Sequence, residues 1–236
     1  MRQKAKVDPM ELCVALDLPQ KEENLALAAA LAGRKLWLKV GFRTFIRDGR
    51  GFIESLQAID PAFKLFLDLK LYDIPNTMAD AAEEIAKMGV DMFNIHASAG
   101  KKGMHAVMER LDTLSQRPLV LAVTALTSFD YHTFKEIYGS DIDEKAEQFA
   151  LQAYQAGLDG VVCSAYESQA IKRETDKRFL TLSPGIRPFG EDRGDQQRVA
   201  DIETARKEKV DIIVVGRPVY RAEDPGAVVD KILQRL

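Results

Sequence analysis

Eight short apolar runs, separated by longer amphipathic stretches, constrain the fold of this 236-residue chain more than any other feature. They fall at 12–17, 36–41, 64–70, 92–97, 119–127, 160–164, 179–184 and 212–216. Most are apolar over nearly their whole length, as parallel strands buried on both faces are. The stretches between them carry helix ends. Asn76 and Thr77 are placed to cap a helix running to Met88, with Gly89 as its stop. A helix at 25–32 stops at Gly33, one at 143–156 stops at Gly157, and a last helix is expected over 225–236. Eight βα units in this length predict an α/β fold, a single-domain (β/α)8 TIM barrel over residues 1–236. A doubly wound open sheet is the competing arrangement. No linker, low-complexity segment or long-period repeat divides the chain.

Composition narrows the function classes. A hydrophobic share of 46% supports one large core, and a net charge of −3 gives neither nucleic acid nor an anionic membrane an electrostatic reason to bind. Cys13 and Cys163 lie in expected strands and form no C-x-x-C pair, so buried free thiols in a reducing compartment are expected. The basic residues before Pro9 are not followed by an apolar stretch of signal-peptide length, and no run reaches membrane-spanning length. These features fit a soluble cytoplasmic protein.

A barrel places its active site at the C-terminal ends of its strands. Those ends offer Asp17, Lys39, then Asp68, Lys70 and Asp73, then His96 and Ser98, then Thr124, Thr127 and Ser128. The sixth run offers only Cys163, Ser164 and Glu167. The run Phe66 to Thr77 is the most informative, because Asp68 and Lys70 share one face of an otherwise apolar strand. Buried charges are costly unless paired. Lys39, Asp68, Lys70 and Asp73 are expected to converge on one mouth as an alternating, coupled set. A lysine flanked by carboxylates stays protonated and serves as a proton donor rather than a free-amine nucleophile. An ion-pair network that merely closes the barrel is the alternative.

The last two strands lead into Pro184-Gly185-Ile186-Arg187 and Gly216-Arg217-Pro218, the two loops at which barrels often hold phosphate. Glycine lets backbone approach an anion, and arginine can bind it with two parallel hydrogen bonds. Ordinary turns are the alternative there. The polar, glycine-containing segment 188–196 reads as a mobile lid or a plain surface loop. His96, His105 and His132 are widely separated and have no metal-ligand spacing, so no metal site is expected. His96 reads as a hydrogen-bonded structural residue, and Cys163 lacks a partner that would make it a nucleophile.

Asp68-Leu-Lys70-Leu-Tyr-Asp73-Ile-Pro-Asn-Thr77 resembles the D-x-K-x-x-D-I-P-N-T signature of the orotidine 5'-phosphate decarboxylase family, nearest to its bacterial form. The resemblance extends through Ala15-Leu-Asp17, Leu38-Lys39-Val-Gly41, Asn94 to Ser98, Ala122 to Ser128, Pro184 to Pro188, Gly194-Asp-Gln196 and Val215 to Pro218, in the family's order. Ser183 and Ala99 replace the common threonine and glycine but touch no assigned role. The resemblance implies a dimeric barrel with no metal and no organic cofactor. It makes Lys70 the proton donor and places Lys39, Asp68 and Lys70 beside the departing carboxylate. Asp73 and Thr77 would complete the neighbouring subunit's site. Asp17 and Lys39 would hold the ribose and Thr127 the pyrimidine ring. Arg187, Gly216 and Arg217 would bind the 5'-phosphate, and Gln196 would reach both phosphate and base. Three rivals share this barrel, one of them a non-catalytic phosphate-binding barrel that has lost activity. A Mg2+-dependent sugar-phosphate decarboxylase or synthase would need a metal-ligating glutamate where Lys39 stands, and a Schiff-base aldolase would need an unprotonated lysine.

Overall fold

The computed structural model describes residues 10–190 and 198–236. All eight expected strands form. In chain order the elements are β1 Glu11–Ala15, α1 Lys21–Leu31, β2 Trp37–Gly41, α2 Phe42–Ile59, β3 Lys64–Leu71, α3 Pro75–Ala86, β4 Met92–His96 and α4 Gly100–Asp112. They continue with β5 Leu119–Val123, α5 Tyr131–Tyr138, α6 Ile142–Gln155, β6 Gly160–Val162, α7 Ser168–Glu174, β7 Leu180–Ser183, α8 Ile202–Lys207, β8 Ile212–Val215, α9 Arg217–Tyr220 and α10 Pro225–Leu233. Each strand pairs in parallel with the next, and β8 pairs with β1, so the sheet closes as a barrel and excludes the open doubly wound sheet.

The strands stop short of the longest expected runs. The run 119–127 ends its ladder at Val123, and 160–164 ends at Val162. Thr127 and Ser128 leave the ladder to line the mouth. The helix expected to be capped by Asn76 or Thr77 starts earlier. Ile74 is extended and Pro75 opens the helix, since proline has no N–H to leave unpaired there and its φ suits the first turn. Gly33, Gly89 and Gly157 take positive φ just beyond the helices they were expected to stop. His132 sits in α5, within the connection between β5 and β6.

Apolar residues divide by face. Inward side chains such as Cys13, Trp37, Phe66, Met92, Leu121, Leu182 and Ile212 fill the barrel. Outward ones such as Val14, Leu38, Leu67, Phe93 and Ile213 pack under the helices. Two buried faces per strand explain why the runs read as continuously apolar.

Polar groups close the N-terminal end of the barrel. Asp91, Asp159 and Asp211 stand just before β4, β6 and β8. They accept the backbone N–H groups of Leu65, Val120 and Thr181 at 2.7, 2.8 and 2.7 Å. Asp159 also receives Arg117 at 2.5 and 3.0 Å. Both side chains are buried, at 12% and 9% exposure. Removing Asp159 leaves the buried Arg117 with only the exposed Asp112 carboxylate, at 3.4 Å. Asp159→Ala is therefore expected to cost about 3–5 kcal/mol of unfolding free energy in denaturant titrations. Turnover per folded molecule should hold, because this end of a barrel carries stability rather than chemistry.

Candidate active site

The C-terminal mouth opens on a cavity of about 750 Å³. Asp17, Lys39, Asp68 and Lys70 line one side, and Thr127, Arg187, Gly216 and Arg217 line the rest. In the ring of eight strands β7 stands opposite β3, so the lysine–aspartate cluster and the Arg187 loop face each other across the mouth.

The cluster alternates in sign. Lys39 Nζ lies 3.5 Å from Asp17 Oδ1 and 3.2 Å from Asp68 Oδ2. Lys70 Nζ lies 2.6 Å from Asp68 Oδ1. Lys39 is thus the lysine flanked by two carboxylates. Its burial opposes the charge, but Asp68 and Asp17 outweigh burial and hold the ammonium above the usual lysine range. Gly41 makes room for this pair, because a Cβ there would sit 3.1 Å from Lys39 Nζ and 3.3 Å from Asp17 Oδ1.

Burial alone would raise the Asp68 pKa. Lys39, Lys70 and a hydrogen bond from Asn94 overcome it and hold the group at about 2, against 3.8 ordinarily. This has a consequence for stability. Between pH 3.8 and about 2 the unfolded chain binds the proton that folded Asp68 refuses, so stability falls as pH drops through that window. The shift is worth on the order of 2 kcal/mol. In Asp68→Asn the acid limb of the stability curve, followed by denaturant titration at each pH, should be shallower by up to about one proton.

Lys70 does not continue a regular strand. Its φ is +47°, a left-handed conformation that is uncommon for a side-chain-bearing residue, and the β3–β4 register shifts between Leu67 and Leu71. Asn94 holds this kink. Fully buried on β4, it accepts Lys70 N–H through Oδ1 at 2.7 Å and donates Nδ2–H to Asp68 Oδ1 at 2.7 Å. One amide therefore orients both Asp68 and Lys70. Sequence reasoning placed Asn94 only within a motif; its signal was a lone amide in an apolar run.

Asp73 does not join the cluster within its own chain, contrary to the expected four-residue convergence. The chain has already turned outward toward Pro75, and exposed Asp73 accepts the N–H of Ile74 at 2.6 Å. Thr77 is likewise exposed, on α3, and neither residue lines the cavity. Gln196 and the rest of 191–196, most of the expected lid, lie outside the described residues.

His96 and Ser98 do not line the cavity, whereas Ser128 does. His96 Nδ1 accepts Ser98 N–H at 3.2 Å, and its ring stacks on Tyr72 at 5.8 Å. Burial, then the Lys70 charge, lowers its pKa and keeps it neutral. Burial raises both thiols well above their usual range, which leaves Cys163 a poor nucleophile. Among the described residues no His, Cys, Asp or Glu cluster could hold a metal ion. No described helix is long and apolar enough to cross a membrane.

Comparison with known proteins agrees with this geometry. The model of the orotidine 5'-phosphate decarboxylase / HUMPS family matches residues 10–232. The orotidine 5'-phosphate decarboxylase of a Sulfurovum species is 67% identical over 225 residues, covering 95% of this chain and 98% of that protein. The enzyme of the same name from a Nitratiruptor species is 63% identical, covering 96% of this chain and all of its own length. Among solved structures, orotidine 5'-phosphate decarboxylase from Lactobacillus acidophilus superposes with a TM-score of 0.82 at 31% identity, over 96% of this chain and 99% of that one. With the barrel, the charged array and these matches together, the chain belongs to the orotidine 5'-phosphate decarboxylase / HUMPS family.

Proposed function

We propose that this protein converts orotidine 5'-phosphate to uridine 5'-phosphate and CO2, the last step of UMP synthesis. The observation that carries this reading is one cavity lined by an alternating Asp17–Lys39–Asp68–Lys70 array and by two arginine-bearing loops, with the Arg187 loop across the mouth from Asp68 and Lys70. A substrate with a phosphate at one end and a carboxylated ring at the other would offer one group to the arginine loops and the other to the lysine array.

The C6–carboxylate bond breaks, CO2 leaves, and the electron pair stays on C6. The ring has no simple electron sink for that pair, so the protein stabilises it electrostatically. Lys70 supplies the positive charge there and transfers its proton to C6, then regains one from solvent. Asp68 disfavours the substrate carboxylate more than the transition state, while Lys39 and Asn94 keep Asp68 ionised. Asp17 and Lys39 hold the ribose hydroxyls and Thr127 the pyrimidine. Arg187, Arg217 and the Gly216 backbone hold the phosphate, and Gln196 contacts phosphate and base.

The active unit is a homodimer in which Asp73 and Thr77 complete the partner's array. Their exposure supports this, as does the company of Tyr72, Ile74, Phe42 and Ile46, which are 65%, 67%, 51% and 78% exposed beside the mouth. No metal or organic cofactor takes part. The ammonium of Lys39, paired to Asp68, occupies the place of the metal-ligating glutamate and would repel a divalent cation.

Purified protein mixed with orotidine 5'-phosphate in the presence of EDTA should show the absorbance change to the uridine spectrum. No conversion, with Mg2+-dependent turnover of a pentulose or hexulose phosphate instead, would move the protein to the sugar-phosphate branch.

A further inference from the structure

Arg198 and Glu167 form a buried ion pair outside the cavity. Arg198 Nη1 pairs with Glu167 Oε1, and the side chains are only 11% and 4% exposed. Glu167 is fixed from the other side, since its Oε2 accepts Ser164 N–H at 3.0 Å. Arg198 also donates Nη2–H to the Ala125 carbonyl and its backbone N–H to the Thr127 carbonyl, both at 3.4 Å. Two residues further on, Ala200 accepts Arg187 N–H at 2.8 Å and donates to the Gly185 carbonyl at 3.2 Å. Tyr166, beside Glu167, donates its hydroxyl to the Val199 carbonyl at 3.2 Å. Residues 198–200 are thus tied to two loops at once, one carrying Thr127 and the other Arg187. Both loops line the cavity, whereas Arg198 and Glu167 do not.

A buried ion pair adds little net stability over apolar side chains of the same volume, because desolvation offsets attraction. What it does supply is a fixed geometry with several directional bonds. We propose that the Arg198–Glu167 pair is a positioning clasp that holds Thr127 and Arg187 at a set separation, so that a phosphate seated at Arg187 brings the pyrimidine ring into register with Thr127 and the lysine array. This inference rests on the decarboxylase reading of the site. Arg198 and Glu167 are positioning residues, since they act through the two loops.

The clasp matters only when both ends of the substrate are anchored. Arg198→Met is expected to lower kcat/KM for orotidine 5'-phosphate by roughly ten- to a hundredfold, the scale of a misplacement of about 1 Å. With orotidine, which lacks the phosphate, the change should stay within about threefold, since no remote anchor is left to misalign. The double variant Glu167→Gln/Arg198→Met removes both charges, leaves no orphaned ion, and should show the same split. Unchanged turnover of the phosphorylated substrate, or equal losses on both substrates, would overturn the clasp.

A second reading does not depend on turnover. Inorganic phosphate should slow amide hydrogen exchange at 125–128 in the wild-type protein and fail to do so in the double variant. No effect in wild type would also overturn the proposal. A wild-type protein inert toward orotidine 5'-phosphate would defeat the functional reading instead, and the exchange experiment would then decide the clasp alone.

Discussion

Lys70→Ala is expected to lower kcat/KM for orotidine 5'-phosphate by about 10⁴-fold or more while leaving the barrel folded. The size follows from the two roles of one ammonium. A positioned general acid contributes about 10²–10⁴-fold, and a preorganised charge at the site of developing negative charge contributes a comparable factor. The fold should survive because Asp68, the group that loses its partner, keeps Lys39 at 3.2 Å and the Asn94 amide at 2.7 Å. Alanine still meets the positive φ of this position, and what it removes is a side chain 27% exposed at the mouth, whose ammonium lies 5.5 Å from the Phe42 ring centroid. Following the absorbance of the substrate gives the rate, and circular dichroism through a thermal scan checks the fold. Substantial remaining activity in a folded variant would remove Lys70 from the proton-donor role.

Arg217→Ala tests the opposite end of the substrate. A charge-assisted bidentate contact is worth about 3 kcal/mol or more, so kcat/KM should fall on the order of a hundredfold. Part of the loss should appear in kcat, because binding energy from a remote phosphate helps position the reacting ring. With orotidine as substrate the same substitution should be nearly silent. An equal fall on both substrates would point to a distorted mouth, and unchanged kinetics would rule out the phosphate role.

The closed barrel and its mouth were legible in the sequence. The apolar runs reveal the strands because a parallel strand between a filled interior and a helix layer has two apolar faces, as Val14 and Cys13 or Leu67 and Phe66 show. Strand ends then name the mouth residues, and Asp17, Lys39, Asp68, Lys70, Thr127, Arg187, Gly216 and Arg217 all line one cavity. Local chemistry was less decisive at element ends. Pro75 moved the start of α3 ahead of two residues with good capping side chains.

Contacts between residues far apart in the chain were settled by the tertiary structure alone. The kink at Lys70 exists because Asn94, on the next strand, supplies the hydrogen bond that a regular ladder would have given. Asp73 leaves the array because the turn into α3 carries it outward, which strand periodicity cannot register once the strand has ended. Lys39, rather than Lys70, is the ammonium between two carboxylates, since only closure of β1, β2 and β3 side by side brings Asp17 and Asp68 to it. The Arg198–Glu167 pair joins residues 31 positions apart. Spacing along a strand specifies which face a side chain takes, whereas barrel closure and register specify which charge it meets there.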